Sequence, residues 1–399
     1  MYGRFLEKKL TESAQKIPVI TLMGPRQSGK TTLARQAFPE HSYVSLERPD
    51  ERARALQDPI SFLARFTKNK VILDEVQRAP ELLSYIQGIV DDKPTPGQFI
   101  LTGSHNLLLM QNVAQTLAGR TALYTLLPLS VAELFGRKAV IPEQLDLVTH
   151  DTRPPFDEDV WTLLWKGFYP RIHDLNLEPQ AWLADYQRTY VERDLRDILR
   201  VMDLNTFERF VRLTAARTGQ ELNLNSLADD VGISQPTAKQ WLNILQLGFI
   251  VTLLPPHHQN FRKRLRKRPK LHFLDTGLCA YLLGIHHAET LKQHPLRGAL
   301  FESFVVAELC KAFANQGKLA PLYFWKDTTG HEIDILVDLG TKLIPIEVKP
   351  GKTVVPSAVN TLHFWAGLQG NTNTSGVLVY AGDKAYTLDQ FAVLPWYLN

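Results

Sequence analysis

The sequence predicts an α/β protein assembled from several modules, and three features carry that prediction. Short β-rich runs alternate with helical stretches at both ends of the chain. A glycine-rich loop joins the first apolar run to the first helical pattern. The third feature is length: 399 residues exceed what one compact core spans, at roughly 100–150 residues per domain. Patterning places the module boundaries at residues 1–138, 139–205, 206–290 and 291–399.

Composition removes whole classes. With 44% hydrophobic and 22% charged residues, neither disorder throughout nor a fibrous architecture is compatible with the chain. The most apolar run, ILQLGFIVTLLPP, stops at a proline pair, well short of the about 20 residues that cross a bilayer, so no membrane association is expected. The segment MYGRFLEKKLTES is charged and lacks an apolar targeting core, and two cysteines, Cys279 and Cys310, cannot build a disulfide framework; a reducing, cytoplasmic setting is the expectation. A net charge of +4 says little about partners, but seven of the nine residues from Arg262 to Lys270 are Lys or Arg.

Taken in order, PVITLMG, TTLARQAF, YVSLE, KVILDE, PELLSYIQGIVDD, QFILTG and ALYTLLPLS alternate strand and helix patterns, which predicts a parallel sheet with helices on both faces. The segment AVIPEQLDLVTHDTRPPFDED, rich in proline and acidic residues, reads as an exposed linker. Beyond Ala181, the residues Leu183, Tyr186, Tyr190, Leu195, Ile198 and Leu199 recur at helical spacing. Residues 206 to about 285 read as mostly helical with a late strand pair. After Pro295 the alternation returns, with GALFESFVVAELCKAFANQ as a helix, PLYFWKD, HEIDILVD and KLIPIEVK as strands, then a second helix and the strand SGVLVYAG.

The loop Gly24-Pro25-Arg26-Gln27-Ser28-Gly29-Lys30-Thr31 fills the template GxxxxGK[ST] between a strand and a helix. Such a loop needs glycines so that backbone N–H groups curl around a phosphate, a lysine to neutralise the β and γ oxygens, and a hydroxyl for Mg²⁺. Gly24, Gln27, Ser28, Gly29, Lys30, Thr31 and Thr32 are therefore assigned to nucleotide binding, with Thr31 also on the metal. Val71-Ile72-Leu73-Asp74-Glu75 is an apolar strand ending in two carboxylates. Asp74 is placed on Mg²⁺ and Glu75 on the attacking water. The guanine-specific pattern Asn/Thr-Lys-x-Asp is not found, which makes ATP the expected nucleotide. The strand QFILTGS ends in Thr102, Ser104, His105 and Asn106, and a helical stretch then leads to Arg120 before the next strand. In AAA+ proteins this order carries a sensor residue and an arginine finger, which assigns Ser104 and Arg120 to catalysis. A finger there points at a neighbour's γ-phosphate and implies a homo-oligomeric ring, a hexamer being favoured.

In QELNLNSLADDVGISQPTAKQWLNILQLGFIVTLL, the residues Leu227, Ala228, Val231, Gly232, Ile233, Ala238, Trp241 and Leu245 fit a helix-turn-helix with a tight turn at Gly232 and a second helix capped by Ser234 or Thr237. Gln235, Lys239, Gln240 and Asn243 fall on its exposed side, and the basic run Arg262, Lys263, Arg264, Arg266, Lys267 and Arg268 lies where a winged domain has its hairpin. DNA is the expected partner. In the tail, Glu302 on a helix, Asp334 on a strand and Glu347-Val348-Lys349 on the next strand follow the order E…D…ExK. Three carboxylates there would hold Mg²⁺ or Mn²⁺, and Lys349, on the same strand face as Glu347, would serve the attacking water.

Together, GPRQSGKTT, VILDEVQ, FILTGS, LAGR…PLS, YQRTYVERDLRDI, KRPKLHFLDTGL and the E…EID…IEVK tail resemble a widespread prokaryotic family of AAA ATPases with a C-terminal PD-(D/E)xK-like domain. The resemblance covers nearly the whole chain. It implies a P-loop AAA+ ATPase core, a winged-helix middle and a restriction-endonuclease-like tail. The tail is also similar to archaeal Holliday-junction resolvases in the spacing of Glu302, Asp334, Glu347 and Lys349, with the difference that no clearly basic arm precedes Glu302. The expectation drawn from these readings is a DNA-dependent ring ATPase acting on branched DNA with an attached metal-dependent nuclease fold. The alternative is an ATP-controlled switch or scaffold whose tail is a silent binding module.

Overall fold

The computed structural model describes residues 2–66, 69–104, 115–147, 157–189, 203–257, 268–368 and 375–398. The chain divides into two compact units. The first comprises Met1–Leu129, Leu247–Phe249 and Phe313–Lys318, and the second Ser130–Gln246, Ile250–Ala312 and Leu319–Asn399.

In the first unit, strands β1 (Val19–Gly24), β2 (Ser42–Ser45), β3 (Val71–Asp74), β4 (Phe99–Ser104) and β5 (Thr121–Thr125) form one sheet in the order β2-β3-β4-β1-β5. Every pairing is parallel. Helix α1 (Leu6–Ala14) precedes β1, and α2 (Lys30–Ala37), α3 (Pro49–Gln57), α4 (Pro59–Ala64) and α5 (Leu82–Asp92) lie in the crossovers. Alternate residues of each strand point to opposite faces, so the sheet feeds two cores. Val71, Leu73, Phe99 and Leu101 pack with Phe62 and Leu63 of α4 and with Leu82, Leu83 and Ile86 of α5. Ile72, Ile100, Ile20 and Leu22 pack with Leu6 and Leu10 of α1 and with Leu33 and Ala34 of α2. The expected two-sided parallel sheet is present. Its strand order sets β4 between β1 and β3, so the tip of β4 lies between the glycine-rich loop and the acidic pair.

The second unit opens with α6 (Val131–Leu134), followed by α7 (Val160–Lys166), α8 (Pro170–Asp174) and α9 (Pro179–Tyr186). A capping box of Ser130 and Glu133 starts α6. The linker expected around residue 140 is not wholly exposed: Val140, Pro142 and Leu145 are buried, as removal of apolar side chains from water favours. Of the helical run expected beyond Ala181, α9 carries Leu183 and Tyr186, while Tyr190, Leu195, Ile198 and Leu199 lie outside the described residues.

Next come α10 (Leu204–Ala215), β6 (Gln220–Glu221), α11 (Leu224–Val231), α12 (Gln235–Leu247), β7 (Val251–Leu254) and β8 (Lys270–Phe273). The strands pair antiparallel in the order β6-β8-β7. Asn223 caps α11 and Ser234 caps α12 through the Thr237 amide. Gly232 makes the turn between these helices with φ +79°, a left-handed conformation that a side chain would strain. Trp241 of α12 meets Phe207 and Phe210 of α10 edge-on, with ring centroids 5.2 and 5.3 Å away, and Leu227, Ala228, Val231, Ala238 and Leu245 complete this small core.

After α13 (Thr276–Leu282) and α14 (Ala288–Gln293), the long helix α15 (Arg297–Asn315) precedes β9 (Leu322–Lys326), β10 (Glu332–Asp338), β11 (Leu343–Lys349), α16 (Asn360–Leu368), β12 (Val377–Tyr380), β13 (Tyr386–Leu388) and β14 (Phe391–Pro395). These six strands form a mixed sheet in the order β13-β14-β12-β11-β10-β9. Leu362 and Trp365 of α16 pack on Ile333, Leu336, Leu378 and Phe391. Pairing between β10 and β9 slips between Ile333 and Leu336, a bulge that re-aims side chains locally, and Asp334 lies within it. Among the described residues no helix is long and apolar enough to cross a membrane.

Candidate functional site

The glycine-rich loop turns from the end of β1 into α2 as the sequence predicts. A side chain at Gly24 would place its Cβ 2.1 Å from the Leu126 carbonyl oxygen, so only glycine fits there. Gly29 precedes α2 with φ +93°, and Gln27 also takes a positive φ of 62°. The Lys30 side chain turns back into the loop, where its Nζ donates to the Gly24 and Pro25 carbonyls at 3.0 and 2.8 Å. Burial is the main reason that its ammonium falls to about 8, against the attraction of Glu75 and Asp74. Ser28 is fully buried and its Oγ has no hydrogen-bond partner, while Thr32 is exposed on the first turn of α2.

Asp74, at the end of β3, gathers hydroxyls from three elements. Thr31 Oγ1 donates to its Oδ1 and Oδ2 at 3.0 and 3.2 Å, Tyr43 to its Oδ2 at 2.8 Å, and Thr102 of β4 to its Oδ1. Burial and that bond to Asp74 push the Tyr43 phenol up to about 12, so it stays a donor. Glu75 follows in a left-handed conformation, φ 58° and ψ 46°, and accepts a hydrogen bond from Gln77. Strain of this kind in a non-glycine residue concentrates at working sites. The donor set fits a nucleotide: a buried lysine bonded to neutral carbonyls, the N-terminus of α2, an orphaned Ser28 hydroxyl, and a Thr31–Asp74 pair suited to Mg²⁺.

Sequence reading missed Arg4 and Tyr43 as members of this site, and it named Thr102 at the strand tip without giving it a role. Arg4 donates from Nη1 to the Ser28 carbonyl at 2.8 Å and from Nη2 to the Leu127 carbonyl at 2.7 Å, which ties the loop to the end of β5. Tyr43 and Thr102 both donate to Asp74. Ser104 pairs by its backbone with Gly24 across β4 and β1; His105 and Asn106 lie outside the described residues, as does the Ser104 side chain. Arg120, in the turn before β5, pairs with Asp91 at the end of α5, with Nη2 to Oδ2 2.8 Å, and also donates to the Ala118 carbonyl at 3.0 Å.

A second cluster is built in the tail. Lys270 of β8 is buried and donates to Glu302 Oε1 of α15 at 2.9 Å, with Glu332 Oε1 of β10 at 2.5 Å. Lys326 holds the other Glu332 oxygen at 3.1 Å. Asp334 Oδ2 accepts the Val348 amide at 2.8 Å, and Lys349 bonds Glu347 Oε1 at 2.5 Å. Glu347 is buried and its Oε2 has no hydrogen-bond partner. His272 lies against this group, 3.8 Å from Glu302, with Nδ1 3.0 Å from the Ser303 hydroxyl; burial lowers its pKa to about 3, so it stays neutral.

The crowded carboxylates raise each other's pKa here, with burial as the larger cause. Burial, then Asp334, pushes Glu302 up to about 8, and burial, then Asp334, pushes Glu347 up to about 7. Burial raises Asp334 as well. The linkage has a definite sign. Folded Glu302 keeps its proton while the unfolded residue loses it near 4.5, so stability falls as pH rises from about 4.5 towards 8. Urea midpoints measured from pH 5 to 8 should decline in the wild type and decline less in Glu302→Gln; parallel slopes would refute a raised Glu302.

Lys270, counted with the basic run, is buried among carboxylates, because β8 carries it inward. Glu302, grouped with Asp334 and Glu347 as a metal ligand, bonds that lysine, and among the described residues no three acidic, imidazole or thiol groups form a ready-made metal cage. On the helix-turn-helix, Gln235, Lys239, Gln240 and Asn243 are exposed along α12, and Arg268 is exposed next to β8. Arg262, Lys263, Arg264, Arg266 and Lys267 lie outside the described residues.

Comparison with known proteins agrees with the first site. Residues 16–135 match the model of an AAA domain. Residues 157–289 and 297–398 match two domains of unknown function, DUF8612 and DUF4143. Among solved structures, the Walker-type ATPase paby2304 of Pyrococcus abyssi overlaps loosely, at 17% identity and TM-score 0.40 over 69% of this chain and 94% of that one. A RuvB variant of Thermotoga maritima overlaps at 15% identity and TM-score 0.27, over 66% and 94%. Two mycobacterial relatives, the uncharacterized proteins Rv2008c of Mycobacterium tuberculosis and Mb2031c of Mycobacterium bovis, are each 30% identical over 389 residues, 96% of this chain and 81% of theirs. With a phosphate loop closed around Lys30, an acidic pair at the end of β3 and that extent of shared sequence, the chain belongs to the family of Rv2008c and carries an AAA-type ATPase domain.

Proposed function

We propose that the protein is a DNA-dependent ATPase in which Lys30, Thr31, Asp74 and Glu75 hydrolyse Mg²⁺-ATP and the middle of the chain holds DNA. The observation that carries the DNA reading is the order helix, strand, two helices, two strands from α10 to β8, with a polar face of Gln235, Lys239, Gln240 and Asn243 on α12. That order is the one a winged helix uses, and such a helix enters a major groove. The basic run from Arg262 to Arg268 connects β7 to β8, where phosphate contacts would add affinity without sequence preference. This reading keeps the boundaries 1–138, 139–205, 206–290 and 291–399, and branched DNA as the preferred substrate.

In the tail, the order helix, three strands, helix, strand from α15 to β12 supports a PD-(D/E)xK-like fold. The orphaned Oε2 of buried Glu347, close to Asp334, supports a divalent ion on those two residues. Mg²⁺ is commonly held by one or two carboxylates with water or phosphate oxygens completing its shell. Lys349, bonded to Glu347, is placed to orient an attacking water.

ATPase rates measured with no DNA and with single-stranded, duplex and four-way DNA test the reading. Stimulation is expected, strongest on four-way DNA, and neutralising Arg262, Lys263, Arg264, Arg266, Lys267 and Arg268 should weaken binding to all sequences alike and flatten its salt dependence by roughly one unit of slope per lost phosphate contact. A slow rate indifferent to every DNA would instead favour an ATP-controlled switch.

A further inference from the structure

We propose that the Lys270 ammonium occupies one of two cation positions in the tail cluster, so that the site binds a single divalent ion on Asp334 and Glu347 rather than a pair. The inference rests on the metal reading of the tail given above and specifies its stoichiometry.

Lys270 acts on four acids that form no ready-made cage of three ligands: Glu302 of α15, Glu332 and Asp334 of β10, and Glu347 of β11. Hydrolytic sites with two metals set them about 3.5–4 Å apart, each sharing carboxylates with the other. In this cluster the Glu302 side is already filled. Lys270 Nζ lies 2.9 Å from Glu302 and 2.5 Å from Glu332, charge-assisted hydrogen-bond distances that put one positive charge between the two carboxylates. A dication brought to Glu302 would have to expel the ammonium or sit against it.

Lys270 is not free to leave. It is 4% exposed, it lies over the Phe324 ring, and its backbone is held in the middle strand of a three-stranded sheet, opposite Glu221 on one side and Leu254 on the other. The Glu347 side differs. Lys349 takes Oε1 only, and Oε2 is buried without a hydrogen-bond partner, a cost that a cation would relieve. Asp334, one step beyond the Ile335–Ile346 pair of β10 and β11, adds a second carboxylate beside it. One position is therefore supplied by the chain itself and the other suits an ion from solution.

The test counts Mn²⁺ bound to the full chain, free of nucleotide, by loss of the free-ion paramagnetic resonance signal. Subtracting the count for Asp334→Asn removes ions held elsewhere, at Asp74 above all. One Asp334-dependent ion is expected in the wild type and in Lys270→Arg, which keeps the charge. Two ions above the Asp334→Asn count are expected in Lys270→Met, the second on Glu302 and Glu332, which lose their resident cation; if that variant does not fold, Lys270→Gln replaces it. Two ions in the wild type, or no gain in a folded Lys270→Met or Lys270→Gln, would overturn the proposal. No Asp334-dependent ion in any of these proteins would instead remove the underlying metal reading, and the proposal with it.

Discussion

Glu75→Gln should bind ATP with nearly unchanged affinity and hydrolyse it about 10²–10⁴-fold more slowly, the range that a positioned general base contributes. Asp74 and its hydroxyl partners Thr31, Tyr43 and Thr102 are left intact by that change, so the Mg²⁺-binding half of the site survives. Lys30→Ala should fail earlier. The Lys30 ammonium is bonded to the Gly24 and Pro25 carbonyls, and removing it takes away both the phosphate counter-charge and a tie that shapes the loop. Single-turnover hydrolysis together with fluorescent-nucleotide binding separates the two: Glu75→Gln retains binding, Lys30→Ala loses it. Normal turnover in Glu75→Gln would end the assignment of Glu75 as the base.

Arg120→Ala should leave ATP binding intact and lower turnover by on the order of 10³, if Arg120 completes a neighbouring subunit's site. The Arg120–Asp91 pair is not an obstacle to that role. It is a surface pair with both side chains partly exposed, and such pairs contribute little to stability, so it can be exchanged for a phosphate. Mixing Arg120→Ala with Lys30→Ala subunits should recover activity, because some interfaces then combine an intact Lys30 with an intact Arg120. A protein that stays monomeric by light scattering while hydrolysing ATP at full rate would exclude a trans role and leave Arg120 as the surface partner of Asp91.

Much of the first site was legible because its chemistry is local. A loop that wraps a phosphate must present consecutive amides, so Gly24, Gly29, Lys30 and Thr31 cannot be scattered along the chain. The acidic pair was legible for the same reason, since Asp74 and Glu75 end one apolar strand. The tail was legible in order but not in pairing. Strand alternation correctly set Glu347 and Lys349 side by side, 2.5 Å apart. It could not foresee the slip between Ile333 and Leu336 that shifts Asp334, because a bulge depends on the partner strand β9.

Local patterns in the chain were enough for the parallel sheet, its nucleotide loop, the turn at Gly232 with Ser234 capping α12, and the strand that carries Glu347 and Lys349; each is set by residues within one or two turns or strand steps of each other. Folding in three dimensions settled the rest. Arg4 reaches the Ser28 carbonyl from 24 residues away and the Leu127 carbonyl from 123, and Tyr43 and Thr102 converge on Asp74 only because β2 and β4 flank β3. Lys270, which reads as one more cation in a basic run, became the buried partner of Glu302, 32 residues further on. A buried charge must find its counter-charge among the groups that packing brings near it, and those neighbours are chosen by strand order and helix placement, which local spacing does not encode.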